Sequence, residues 1–241
     1  METSPREACV SRTGHVLRIR PNRPDKRNAL SRPTYDAMAD AIVLAETDKA
    51  IRAVLFSGAG EAFCAGNDLH DFPAHPPEGT EDPAFRFLRS ISGATTVLVA
   101  AVQGTAVGVG TTLLLHCDLI IAGQSARFPM PFAGRGLMPE AASTPLSPRV
   151  VGCCRAAELL LLGETIDATT ALQWGLVNRV VEDPRLIEAA QELALRVGMR
   201  PPATLRIASP KRCCAMTGTG SPNGWSKRED ICDPAQSPEA R

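Results

Sequence analysis

Short apolar runs that read as strands alternate along this chain with segments of helical periodicity, and that alternation narrows the folds open to it. Residues 16–20 alternate apolar and basic side chains and read as a strand. Ser31 is a suitable N-cap for a helix in which Tyr35, Met38, Ile42 and Ala45 share one face. Strand patterns follow at 53–57, at the β-branched run 97–102 and at 119–122, with helices between them at 83–91 and 108–116. This order predicts an α/β chain with parallel-type connections. Further on, 141–151 reads as a helix weakened by Pro145 and Pro148. Helices at 156–162 and 168–174 follow, the second capped by Asp167 and ended by Gly175. A short strand at 177–181 precedes an amphipathic helix at 184–197. The Pro-rich stretches 21–28 and 71–82 read as loops.

A chain of 241 residues can bury a large core. The pattern divides it into a core over 1–190 and a C-terminal region over 191–241, where a helical start gives way to a tail rich in Gly and Pro. Lys plus Arg and Asp plus Glu both number 26, so no bulk charge draws the chain to nucleic acid or to a membrane surface. No apolar stretch approaches the length of a membrane span. The N-terminus carries no apolar signal core, and the C-terminal Ser-Pro-Glu-Ala-Arg is no peroxisomal address. The expected setting is the cytoplasm. The eight cysteines form no C-x-x-C pair, and His70 and His75 have no carboxylate at ligand spacing, so no metal is expected. His116 and Cys117 read as core, and Asp118 as a cap or partner at the start of the strand that follows.

Three places carry chemistry. The strand at 53–57 runs into a tight loop that ends Ala62-Phe63-Cys64-Ala65-Gly66-Asn67-Asp68-Leu69. Such a loop can present a backbone N–H to a ligand; an Asx-type turn is the plainer reading. A second loop, Val107-Gly108-Val109-Gly110, opens an apolar helix, and an N–H at a helix N-terminus has no intrahelical partner. Tight helix packing is its plainer reading. The loop is neither a dinucleotide fingerprint nor a P-loop. A single acid, Glu140, follows Pro139 in an apolar setting, either as a base or as an acid favoured by the helix dipole. Two backbone donors and one carboxylate suffice to make and consume an enolate.

The pattern resembles the crotonase (enoyl-CoA hydratase/isomerase) superfamily, and within it the Δ3,Δ2-enoyl-CoA isomerases. The resemblance rests on Ala65-Gly66-Asn67-Asp68-Leu69, on the loop around Gly108, on Pro139-Glu140 and on Ala171-x-x-Trp174-Gly175-Leu176-Val177. It implies a spiral of repeated ββα units with C-terminal helices that build trimers or dimers of trimers. It implies an acyl-CoA thioester as substrate, with coenzyme A part of that substrate and no separate cofactor. By resemblance the N–H groups of Asn67 and Val109 form the oxyanion hole, the Val109 side chain is placed to narrow the pocket, and Glu140 is the base. Substrate would also meet Ala65, Gly66, Asp68, Leu69 and Gly108. Asp68 is expected to order the loop through hydrogen bonds. Arg23, Lys26 and Arg27 lie in a stretch ending Asn28-Ala29-Leu30 that resembles the family's adenosine-side segment. Arg23 and Lys26 suit the phosphates, with Ala29 beside them; a solvated basic loop is the alternative.

Family hydratases use two glutamates, and the corresponding positions here are Thr112 and Phe132. That points to a one-base isomerase over a hydratase. A catalytically silent acyl-CoA-binding scaffold is the competitor of a different class, and it draws on the tail, which departs from the family's helical ending. Arg228-Glu229-Asp230-Ile231 and the final Ser237-Pro238-Glu239-Ala240-Arg241 resemble a family ending, and a divergent or frame-altered segment of about twenty residues before it would account for that departure.

Overall fold

The computed structural model describes residues 7–68, 70, 71, 79, 81–201, 204 and 205. Leu69, His75 and the irregular tail expected over 213–241 lie outside the described residues.

The strands are β1 (Ala8–Thr13), β2 (Val16–Pro21), β3 (Ala53–Phe56), β4 (Val97–Val102), β5 (Leu119–Gly123), β6 (Arg127–Phe128), β7 (Ile166–Asp167) and β8 (Arg179–Val181). Six of them form one sheet in the order β1-β2-β3-β4-β5-β8. β1 and β2 pair antiparallel, and every later pairing in that sheet is parallel. Parallel strands need crossovers. They are supplied between β2 and β3 by α1 (Arg32–Thr47), between β3 and β4 by α2 (Pro83–Gly93), and between β4 and β5 by α3 (Val109–Thr112), continued by a 3-10 turn over Leu113–His116. The remaining helices are α4 (Ser143–Val151), α5 (Cys153–Ala157), a π-helical turn over Glu158–Leu162, α6 (Ala168–Gln173) and α7 (Leu186–Gly198).

Every residue of β3 and β4 is buried, which requires cover on both faces. The period of two sorts them. Val54, Phe56, Leu98, Ala100 and Val102 join the main core with α1 and α2. Ala53, Leu55, Val97, Val99 and Ala101 turn the other way, onto Leu186, Ala190 and Ala194 of α7.

A second row of pairings runs beside the main core and is built mostly of single bridges. Leu30 pairs with Asn67, Cys64 with Ala106, and Thr105 with Arg127, all parallel. The row is extended by β6, which pairs with β7. Each turn of the chain therefore gives one strand to the large sheet, one short pairing to the second row, and then a helix. This is the spiral of ββα units expected from the resemblance, with its second layer reduced to bridges.

The predicted elements fall within a few residues of those found. β1, β6 and β7 were not foreseen. Four of the six residues of β1 are exposed, so it carries no apolar pattern, and β6 and β7 are two residues each. The helix foreseen at 108–116 changes from α to 3-10 midway, with every residue from Val109 to His116 buried. The segment 156–162 is wound partly as α and partly as π. Pro145 falls in the first turn of α4, where an N–H would have no helical partner, and Pro148 lies inside the helix.

Candidate active site

Asn67 sits on the second row at the point where the chain leaves β3 for α2. The Leu30 N–H donates to Gly66 O at 2.8 Å, and the Asp68 N–H donates to Leu30 O at 3.0 Å. In a parallel bridge of this kind the central residue, Asn67, turns its own N–H to the opposite edge. On that edge lies the second loop. Cys64 N–H donates to Thr105 O at 3.1 Å, and Val107 N–H donates to Cys64 O at 2.8 Å. The contact demands glycine. Gly66 has φ 92°, and a Cβ there would stand 3.1 Å from Val107 O; a Cβ on Gly110 would stand 2.9 Å from both Cys64 Cβ and Cys64 O.

Val109 is the first residue of α3. Gly108 N–H donates to Pro129 O at 3.0 Å, Gly110 N–H to Val107 O at 2.8 Å, and Thr111 and Thr112 N–H both to Gly108 O at 2.9 Å. Among the described residues, the N–H groups of Asn67 and Val109 have no backbone acceptor, while those around them are committed. The two sequence-predicted donors therefore lie on adjoining loops. The Val109 side chain is 1% exposed and turns into the core. There it lines an apolar void of about 10 Å³ with Met38, Phe63, Cys64, Phe87 and Leu113, too small for an acyl chain.

Glu140 approaches from the segment that leads into α4. The turn that delivers it is unusual. Ala141 and Ala142 have φ 54° and 52°, the left-handed region, and Ser143 N–H closes the turn onto Glu140 O at 3.0 Å. Each such alanine costs about 1–2 kcal/mol. His116 Nε2 lies 2.8 Å from Ala141 O, and since a carbonyl only accepts, this nitrogen carries the proton. His116, foreseen simply as core, thus holds the turn that aims Glu140.

The carboxyl meets Asn67. Asn67 Nδ2 stands 3.5 Å from Glu140 Oε1 and 3.4 Å from Oε2. The Tyr35 hydroxyl donates to Asn67 Oδ1. Burial raises the Glu140 pKa to about 7, and the Asn67 amide works in the opposite direction. Burial also raises the Cys64 thiol to about 12 and the Tyr35 hydroxyl well above its ordinary value, so both stay neutral beside it. Tyr35 was legible as a core residue of α1, but nothing in its spacing marks its hydroxyl.

Thr112 and Phe132, the positions at which the resemblance would look for the two family glutamates, are both buried. The Phe132 ring lies 3.8 Å from where a Gly108 Cβ would be. Asp68 orders its loop: Oδ1 accepts from His70 N–H at 3.0 Å, and Oδ2 from Arg23 Nη1 at 2.8 Å. Burial alone would raise its pKa, but these two partners hold it below the ordinary value. Arg23 is committed here, since the same Nη1 also donates to Ala29 O at 2.9 Å. The geometry makes Arg23 a tie between the 23–29 loop and Asp68, whereas Lys26 and Arg27 are exposed. The Ala65 N–H donates to Arg27 O at 3.0 Å, joining the same loops.

Residues 11–216 match the enoyl-CoA hydratase/isomerase family model. The chain belongs to that family. Among curated relatives, it is 37% identical to the 1,2-epoxyphenylacetyl-CoA isomerase of Escherichia coli K12, over 77% of this chain and 74% of the relative. It is 34% identical to the mevalonyl-coenzyme A hydratase of Aspergillus fumigatus, over 81% and 73%. A crystal structure of an enoyl-CoA hydratase/isomerase from Pseudoalteromonas atlantica superposes with a TM-score of 0.80 at 42% identity, covering 87% of this chain and 82% of that one. The family acts on acyl-CoA thioesters. Its named relatives include an isomerase and a hydratase, so family membership alone does not fix the reaction. Among the described residues, no helix is long and apolar enough to cross a membrane.

Proposed function

We propose that this protein moves the double bond of a 3-enoyl-CoA to C2. The observation that carries the reading is a desolvated carboxyl, raised to about 7, that meets the side chain of Asn67, a residue whose backbone N–H, like that of Val109 on the adjoining loop, has no backbone acceptor among the described residues. The ionised Glu140 takes a proton from C2 of the substrate. The electrons of that C–H bond pass into the enolate, whose oxygen lies against the N–H groups of Asn67 and Val109. One such donor is worth about 3–4 kcal/mol at the transition state. The proton returns from Glu140 to C4, and the double bond settles between C2 and C3. One group that takes and returns a proton is enough. Coenzyme A belongs to the substrate, and no other cofactor enters the reaction. Leu137 and Met138, 52% and 59% exposed just ahead of Glu140, offer the acyl chain apolar surface. The basic residues on the 23–29 loop suit the phosphates, with Lys26 more available than Arg23. The working form in this reading is a trimer or a dimer of trimers.

Hydration is the second reading, favoured by the relationship to a mevalonyl-CoA hydratase. It needs a second proton-transferring group, and neither Thr112 nor Phe132 is one.

The test is to incubate the purified protein separately with a 3-enoyl-CoA and a 2-enoyl-CoA. The expected result is conjugation of the first without hydration of the second, lowered about 10²–10⁴-fold by Glu140→Gln. Because the base works ionised, kcat/KM rises with pH through about 7. Hydration that survives Glu140→Gln overturns the assignment of the base. Tight binding without turnover of either makes the protein a silent acyl-CoA scaffold.

A further inference from the structure

We propose that the side chain of Asn67, locked by the Tyr35 hydroxyl, is the positioning group for the Glu140 carboxylate, while the main-chain N–H of the same residue serves the thioester oxygen. The inference rests on the reading of Glu140 as the base.

The argument starts from the amide. Its oxygen accepts from Tyr35, so its NH₂ end must face the other way. There it lies nearly equidistant from the two Glu140 oxygens, at 3.4 and 3.5 Å, astride the carboxylate. Without Tyr35 the amide is free to turn over and set its oxygen against the carboxylate. Tyr35 cannot swing away: it is 3% exposed, and its ring packs at 5.6 Å on Phe87 of α2. Its hydroxyl stays protonated because burial, and then the charge of Glu140, both raise its pKa. The amide therefore has one orientation, the one that favours the ionised carboxylate.

The other titratable groups around the cluster are accounted for. Cys64, on the bridge segment, is held neutral by burial. Asp68 faces Arg23 on the far side of its loop. Asp82, at the start of α2, pairs with Arg32. His116 stands behind Ala141 and contacts its carbonyl. Tyr35 and Asn67 are thus the groups through which the acidity of Glu140 is set from the α1 side.

The experiment follows the Glu140 carboxyl directly, by carbon NMR of protein labelled at the glutamate carboxyls. Its signal is the one lost in Glu140→Gln, and the His116 ring is followed by its own proton signals. Asn67→Ala is expected to raise the Glu140 midpoint by roughly half a unit or more. Tyr35→Phe, which removes only the hydroxyl, is expected to raise it as well. In both variants kcat falls with KM unchanged, since the main-chain donors remain. Tyr35→Phe added to Asn67→Ala is expected to change nothing further, because Tyr35 acts only through the amide. Asn67→Asp, of the same shape, serves where Asn67→Ala does not fold; two facing carboxyls raise the midpoint more. An unmoved midpoint in the Asn67 variants overturns the proposal, and so does an effect of Tyr35→Phe that persists on top of Asn67→Ala. Turnover of 3-enoyl-CoA is measured alongside. Linked midpoints without turnover sink the isomerase reading and leave the positioning intact. Turnover abolished by Glu140→Gln with unlinked midpoints does the reverse.

Discussion

Glu140 carries a stability consequence as well as a chemical one. Its pKa stands at about 7 in the folded protein against 4.5 for the free group. Between those values the folded state binds more protons than the unfolded state. The contribution is fully present below about 4.5 and is lost as pH rises through about 7. Glu140→Gln should therefore leave the melting temperature nearly unchanged at pH 4.5. At pH 8 it should stabilise the protein by on the order of 3 kcal/mol, a rise of about 6–12 °C. Calorimetry at both pH values checks this, and equal melting shifts would contradict the burial of the carboxyl. Gly110 supplies a second prediction at this scale. Gly110→Ala drives a methyl to 2.9 Å from Cys64 Cβ and O. It should cost about 1–3 kcal/mol of stability. It should also displace the Val109 N–H, lowering kcat about 10²–10³-fold, as loss of one oxyanion donor does.

The elements show which parts of this arrangement a sequence can disclose. Ser31 was legible as the cap of α1, and its hydroxyl does accept from Thr34 N–H at 3.3 Å. The six apolar residues of β4 were legible as a strand because burial on both faces leaves no polar position. β1 was not, since it lies at the sheet edge with most of its side chains in water. The bridge from Leu30 to Asn67 leaves no periodic signal, because a pairing of one residue has no period. Glu140 was singled out by its Pro-Glu setting, but its support by Asn67 and His116 joins residues 73 and 24 positions away in the chain. The turn before α4 tests that support. His116→Ala removes the donor to the buried Ala141 carbonyl and should cost about 1–3 kcal/mol. Its activity loss should exceed that of Ala142→Gly, which keeps the positive φ without strain. Thermal unfolding and kcat of the two variants check this, and a His116→Ala enzyme with native kcat would remove the histidine from any positioning role.

Across the whole molecule, successive turns of the spiral meet at the site. The backbone bonds of Leu30, Cys64, Ala106, Val107 and Asp68 tie four turns of chain into the floor beneath Asn67 and Val109. Those turns are also the crossovers of the main sheet, so the floor cannot open without loosening the sheet. Native-state hydrogen exchange should show these five amides exchanging together, at the free energy of global unfolding. Exchange of the Cys64 and Val107 amides well ahead of β4 would show that the site opens independently.

In the proposed reaction the anion is held by main-chain N–H groups, and that has a further bearing. Every amino acid except proline carries that donor, so residues 67 and 109 can exchange side chains without surrendering the enolate. What must stay is the path of the backbone; what is left open is the choice of acid, base and pocket wall around it. A lineage built on this framework can acquire a new reaction by substituting the groups that face the substrate, one at a time, from an ancestor that already stabilises the shared intermediate.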